Sequence, residues 1–324
     1  MRSNVIVAAA CCAGAFAILT VEVLAQNYPA KPIRMIVAYP PGGGTDIVGR
    51  MVAQKLAGNF GQTVVIDNRG GAAGNIGSEI AARSAPDGYT VLMGNVAPNA
   101  INVSLYARLA YDPVRDFAPV SLVASTPNIL VVQPSLPVKA VSDLVALAKA
   151  RPGALNYPSA GLGSSSHLAG ELFDSIAAVK MVHIPYKGGG PALTDLLGGQ
   201  VQLMFATMPA AMPHVRSGRL RAIAVTSAKR SQAMPELPTI GETLQGYEAS
   251  TWYGLLAPAG TPRAIVMALH AEIVKILRVA ETKERLLAQG FEPVGGTPAE
   301  FGAYIKAEIA KWAAVIKAAG IRAE

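Results

Sequence analysis

The sequence predicts an α/β fold, built from mostly parallel sheets covered by helices on both faces. Three observations point to it. Short apolar runs alternate with stretches of helical periodicity, and most runs end in a Gly- or Pro-marked turn that leads into the next helix. The 324 residues are 51% hydrophobic and only 15% charged, with 32 glycines and 23 prolines. That composition suits tightly turned layers better than a helical bundle, a coiled coil or a disordered chain. The net charge of +7 comes from scattered residues, with no basic run of the kind that tracks nucleic acid.

The first element is a leader. Arg2 precedes an apolar stretch from Val5 to Val21, and Val23-Leu24-Ala25 follows. A basic start, an apolar middle and a small-residue site read as a secretory signal peptide over 1–25, cut after Ala25, which sends the protein to the periplasm. A retained membrane anchor is the rival; the stretch is rich in alanine and lacks a basic stop-transfer cluster. Cys11 and Cys12, the only cysteines, lie inside the leader. Disulfides, thiolate metal sites and a Cys nucleophile therefore drop out together.

Residues 33–37 read as a strand, broken by Pro40-Pro41-Gly42-Gly43-Gly44. A helix over 45–60 follows, with Ile47, Val48, Met51, Val52 and Leu56 on one face. Further strands are expected over 63–66, 90–93, 128–132, 155–157, 182–184, 203–205 and 221–225. Near the C-terminus, Thr297-Pro298-Ala299-Glu300 reads as a capping box with Pro at the first helical position, and Gly320 ends that helix. Thr261-Pro262 is expected to open another helix in the same way. Two sheets in one chain without a linker imply lobes joined by extended crossing segments, here 119–126 and 247–255.

Two glycine-rich turns carry the chemistry. Tyr39-Pro40-Pro41-Gly42-Gly43-Gly44-Thr45-Asp46 joins a strand to a helix whose first amides have no intrahelical partner. Such an entrance offers N–H donors and a positive dipole end to an anion. Ala160-Gly161-Leu162-Gly163-Ser164-Ser165-Ser166-His167 repeats the arrangement and adds hydroxyls. A third turn, Lys187-Gly188-Gly189-Gly190-Pro191, echoes it. Neither main turn matches a dinucleotide fingerprint, a P-loop or a nucleophile elbow. The four histidines form no metal motif; His167 and Glu171 are one helical turn apart, a spacing more often a local bond than a ligand pair. His183 is expected in a buried strand. No catalytic residue, metal or cofactor is assigned.

The segments together resemble the tripartite tricarboxylate transporter substrate-binding proteins, the Bug family of extracytoplasmic solute receptors. Besides the two turns, the resemblance rests on Asp67-Asn68-Arg69 through Gly74-Asn75-Ile76-Gly77, Pro86-Asp87-Gly88-Tyr89-Thr90, and Tyr111-Asp112-Pro113 with Asp116-Phe117. Pro185-Tyr186-Lys187-Gly188, Trp252-Tyr253-Gly254-Leu255 and Ala257-Pro258-Ala259-Gly260-Thr261-Pro262 complete it. Where many relatives have Pro-Gly-Ala-Gly-Gly, this chain has Gly70-Gly71-Ala72-Ala73-Gly74, which is expected to loosen one backbone position.

The resemblance implies a two-lobed type II periplasmic binding protein fold with the ligand cleft between the lobes. The expected division is lobe 1 over 26–124 and 249–324 and lobe 2 over 125–248. It implies a receptor, not an enzyme, that captures a small carboxylate by lobe closure and delivers it to membrane permease subunits of a tripartite tricarboxylate transporter. A sensor kinase is the other partner class, and an exported serine hydrolase using Ser164, Ser165 or Ser166 with His167 is the rival activity. Main-chain amides and ordered water of one loop per lobe are implied to hold the ligand. In this chain they are Tyr39, Gly42, Gly43, Gly44, Thr45 and Asp46, and Ala160, Gly161, Gly163, Ser164, Ser165, Ser166 and His167. Asn95, Val96, Phe205 and Thr207 are expected to wall the pocket. Gln202 stands where relatives often carry Asp, so an apolar distal wall is expected over 201–209.

Overall fold

The computed structural model describes residues 28–186 and 188–322; the expected 1–25 leader, with both cysteines, lies outside the described residues. β1 (Ile33–Val37) is buried except for Arg34 and lies between β2 (Val64–Asn68) and β3 (Thr90–Asn95), parallel to both. Between β1 and β2 runs α1 (Gly44–Phe60), whose Val48, Met51, Val52 and Leu56 bury one face. A short turn of 3-10 helix leads into α2 (Asn75–Ala82), and α3 (Asn102–Leu105) follows β3 after a wide turn at Ala97–Ile101.

The long β4 (Phe117–Val132) then leaves this layer for a second one. It is followed by α4 (Val141–Ala150), β5 (Asn156–Ser159), α5 (Ser165–Ala177), β6 (Val182–Pro185), α6 (Gly189–Leu197), β7 (Leu203–Thr207), α7 (Met208–Arg216) and β8 (Arg221–Val225). β9 (Ser250–Pro258) returns to the first layer, which α8 (Arg263–Arg278), α9 (Ala280–Ala288), β10 (Glu292–Pro293) and α10 (Pro298–Ala319) complete.

The expectation of mostly parallel sheets is corrected. Only β1–β2, β1–β3 and β5–β6 are parallel; β9 pairs antiparallel with β3 and β4, and β4 pairs antiparallel with β7, β8 and β10. β4 travels outward and β9 back, so each enters a layer against its neighbours. Phe117–Pro127 of β4 pairs with β9, whereas Asn128–Val132 pairs with β7 and β8. The expected crossings at 119–126 and 247–255 are thus largely regular strand, and one ribbon ties the two layers.

Core packing follows these layers. Val48, Leu56, Tyr253, Leu269 and Phe291 fill one face of the first sheet. On the other face, the indole N–H groups of Trp252 and Trp312 both donate to Glu308 Oε2, at 3.2 and 3.0 Å, and Lys311 pairs with Oε1 at 2.5 Å. A carboxylate only 4% exposed is thereby fully partnered. The Thr297–Glu300 capping box forms as read and Gly320, at φ 66°, closes α10. At 261–263 the reading is off by one residue: Pro262 is the N-cap of α8, and the Thr261 hydroxyl instead donates back to the Pro258 carbonyl at 2.8 Å.

Candidate ligand-binding site

The first turn is built on Asp46. Its carboxylate, 3% exposed, accepts the Gly42 N–H at 2.9 Å and Arg50 Nε at 2.9 Å on Oδ2, and Asn68 Nδ2 at 2.9 Å on Oδ1. Burial opposes its charge, but the bonds from Arg50, Gly42 and Asn68 outweigh that and hold its pKa below the ordinary range. Asp46 therefore braces the loop and has no free oxygen to act as a base. With Gly43 as N-cap, the N–H groups of Gly44, Thr45 and Asp46 have no intrahelical acceptor. A Cβ placed on Gly42 or Gly43 would meet no atom within 4 Å, so the chain's own side chains leave the approach to those amides open.

The wall behind them is a chain of hydrogen bonds. Tyr39 Oη donates to the Ala73 carbonyl at 3.0 Å and to Asn95 Oδ1 at 3.2 Å, and Asn95 Nδ2 donates to Thr45 Oγ1 at 3.0 Å. Ala73 carries φ 52° and Ala72 φ 45°, left-handed conformations that aim the Ala73 carbonyl at Tyr39. The Gly70–Gly74 segment, expected to be loosened, thus holds two alanines in left-handed conformations. Tyr253 is a site residue that the sequence did not single out. Its hydroxyl lies so close to Gly44 that any side chain at 44 would collide with it. In the sequence it appeared in the Trp252-Tyr253-Gly254-Leu255 resemblance motif and on a crossing segment, neither of which assigned it a role.

In the second turn most hydroxyls serve the loop itself. Ser164 caps α5, accepting the His167 N–H at 3.3 Å and donating to the Gly161 carbonyl at 2.7 Å. Ser166 Oγ accepts the Ala160 N–H at 3.1 Å. Gly163 N–H donates to His167 Nδ1 at 3.1 Å, and His167 Nε2 faces Glu171 Oε1 at 3.4 Å. Both ring nitrogens of His167 are therefore turned from Ser164, Ser165 and Ser166, and those residues form no Ser–His dyad. Glu171 also accepts the Tyr157 hydroxyl at 2.6 Å, which makes His167–Glu171 part of a local network. The groups left facing outward are the Ser165 hydroxyl and the N–H groups of Ser165 and Ser166 at the start of α5. His183 is half-buried on β6 rather than in a buried strand, because β6 pairs only with β5.

The two turns converge. Asn102 Nδ2 donates to the same Ala73 carbonyl that Tyr39 holds, at 3.2 Å. Gly163 of the second turn lies directly against Leu105 and beside Asn102, with φ 74°. Tyr39, Ala73, Asn102 and Gly163 thus form a continuous path from one helix entrance to the other.

The residues expected to wall the pocket lie apart. Asn95 is bonded to Tyr39 and Thr45 behind the first turn, and Val96 is buried beside it in the core. Phe205 is fully buried edge-on against Tyr157 and near Phe173, so it is a core residue of the second layer. Its strand alternation packs it under α5 instead of into a cleft. Thr207 is half-buried at the end of β7, where α7 begins. Gln202 lies at the opposite end of β7 from Thr207 and accepts the Asn156 N–H at 2.8 Å, so it does not stand beside Thr207. Polar residues occupy that end instead, Asn128 opposite Thr207 among them. Two surface hollows, of about 220 and 370 Å³, lie on the outside of the first layer, and neither includes a residue of the glycine turns. Among the described residues no group of three or more His, Cys, Asp or Glu could hold a metal ion, and no helix is long and apolar enough to cross a membrane.

Comparison with known proteins agrees with this architecture. The profile of the tripartite tricarboxylate transporter family receptors matches residues 48–321. Protein BugT of Bordetella pertussis is 42% identical over 308 residues, 94% of this chain and 94% of its own length. Among solved structures, R. palustris Rpa4515 with adipate superposes with a TM-score of 0.84 at 40% identity, over 91% of this chain and 99% of that one. Rhodopseudomonas palustris MatC with bound malate superposes with a TM-score of 0.78 at 31% identity, over 89% of this chain and 100% of that one. The chain belongs to the tripartite tricarboxylate transporter receptor family, a family of two-lobed solute-binding receptors and not of enzymes.

Proposed function

We propose that this protein is a periplasmic receptor that captures a small carboxylate between its lobes and presents the closed form to the permease subunits of a tripartite tricarboxylate transporter. One observation carries the reading: two helix entrances with unpaired N–H groups, at Gly44 and at Ser165, are linked by hydrogen bonds from Tyr39 to Asn102 and by packing of Gly163 on Leu105. Oriented amides bind a carboxylate without a buried counter-charge, whose desolvation could cancel the gain. The relatives with adipate and malate support the ligand class.

In this reading the ligand carboxylate is gripped by the amides of Gly43, Gly44 and Thr45 from lobe 1 and of Ser165 and Ser166 from lobe 2. Tyr39, Asp46 and Asn95 brace the first turn; Ser164, Ser166 Oγ and His167 brace the second. Lobe 1 over 26–124 and 249–324 and lobe 2 over 125–248 would rotate about the β4–β9 ribbon, where pairing passes from Pro127 to Asn128. Export with cleavage after Ala25 completes the proposal.

Thermal unfolding with a panel of four- to six-carbon acids tests it. A ligand at about 100 times its dissociation constant adds roughly 2.7 kcal/mol of stability. A panel in which no carboxylate raises the transition overturns the receptor reading.

A further inference from the structure

A row of polar side chains leads away from the first turn along one face of the β4–β9 ribbon. Tyr253, whose hydroxyl reaches Gly44, lies opposite Asn95, whose amide reaches Thr45. Two residues before Tyr253, and so on the same face, is Thr251, paired with Thr126. Two residues beyond Thr126 on β4, again on that face, is Asn128, paired with Thr207 at the end of β7. The row therefore runs from the first helix entrance into the second lobe.

Two members of this row have no partner. Asn128 is 0% exposed, yet neither Nδ2 nor Oδ1 makes a hydrogen bond within the protein, and the Thr251 hydroxyl, in a residue 5% exposed, makes none either. The Asn128 backbone is fully engaged, its N–H donating to Thr226 Oγ1 at 2.8 Å and its carbonyl accepting the Thr226 N–H at 2.9 Å, so the strand is fixed and only the side chain is left over. A buried amide without partners is costly, and its retention at the end of a polar row that starts at a helix entrance calls for a group that satisfies it.

We infer that Asn128, with Thr207 and Thr251 beside it, reads a second hydrogen-bonding group at the far end of the bound acid. This rests on the carboxylate-receptor reading above and deepens it. The amide both donates and accepts, so it fits a distal carboxylate, hydroxyl or oxo group. An acid with a plain aliphatic tail leaves Asn128 unsatisfied and is rejected, because a site built to hydrogen-bond a polar group discriminates strongly against the analogue that lacks it.

The test is calorimetric titration of wild type, Asn128→Leu and Thr207→Val with matched pairs of acids: adipate with hexanoate, and succinate with butyrate. Wild type is expected to prefer the member with two polar ends by about tenfold or more, the equivalent of one good hydrogen bond pair. Asn128→Leu is expected to erase that preference by weakening the dicarboxylate while leaving or improving the monocarboxylate. Its ligand-free melting temperature should stay level or rise, since an orphaned polar group is replaced by an apolar one of similar volume. Thr207→Val, a half-exposed change that keeps shape, is expected to reduce the preference in the same direction and reads the idea even if Asn128→Leu does not fold. Equal affinities in wild type, or a preference that survives both substitutions, overturn this inference and leave the receptor reading standing. Absence of heat with every acid overturns both.

Discussion

The imidazole of His167 lies flat on that of His183, with centroids 3.8 Å apart and planes inclined by 22°. Each ring is tied to a different end of the second glycine turn, His167 Nδ1 to the Gly163 N–H and His183 Nε2 to Ser159 Oγ at 2.6 Å. Two stacked rings cannot both carry charge cheaply, and the second glycine turn is bonded to one of them at Gly163.

Burial, and then the neighbouring His167, push the His183 pKa down to about 4. In the unfolded chain the ring takes up a proton near its ordinary 6.5. Stability from this group is therefore complete above pH 6.5 and is lost as pH falls from about 6.5 to about 4. Asp174 works the other way. Burial raises its pKa to about 7, so the folded state binds the extra proton and stability falls as pH rises from about 4 to 7. Melting curves from pH 4 to 7 separate the two: His183→Gln should remove a rising slope and Asp174→Asn a falling one. An NMR titration of His183 with a midpoint near 6.5 contradicts the assignment.

Gly43 has ordinary backbone angles, φ −82° and ψ 168°, and open space where a Cβ would stand. Gly43→Leu is therefore expected to leave the ligand-free stability within about 1 kcal/mol of wild type while its side chain occupies the approach to the α1 amides. Ligand-induced stabilisation should vanish. A preserved shift with this variant refutes the first turn as the anchor.

The serines should separate by role. Ser164→Ala removes the α5 N-cap and is expected to cost about 1 kcal/mol of stability in the ligand-free protein. Ser165→Ala touches no bond within the protein and should leave that stability unchanged. Any loss of affinity in Ser165→Ala measures direct hydroxyl contact with ligand, and full affinity leaves the amides alone as the grip. Denaturant unfolding and calorimetry on the same two variants check both statements.

Glu308 is the partner of two buried indoles and of Lys311. Glu308→Ala is expected to destabilise the protein by about 3–5 kcal/mol, because it strands donors in the core. Glu308→Gln retains an acceptor and should cost clearly less. Ligand affinity, corrected for the folded fraction, should be the same in both, since Glu308 bonds Trp252, Trp312 and Lys311, none of which belongs to either glycine turn.

The sequence by itself determined the local units: which runs become strands, which glycines open helices, and where Thr297 and Gly320 bound the last helix. Those are decided within a few residues by periodicity and capping, so they can be read in order along the chain. Strand direction was not legible. β4 and β9 run antiparallel to their neighbours because β4 leaves the first layer for the second and β9 returns to it, a property of the whole path and not of residues 117–132 or 250–258. The same limit applied to the site. Both turns announced themselves as glycine-rich helix entrances, and the roles of Asp46, Ser164 and Ser166 as braces appeared only once their partners across the loop were in place. Phe205 and Asn128 show the difference most plainly. They are near neighbours across the β4–β7 ladder, yet packing against Tyr157 sends one into the core, while Asn128, opposite Thr207, is left with an amide that nothing in the protein satisfies. Side-chain direction follows from the pleat, but what a face looks onto is set by the tertiary fold alone.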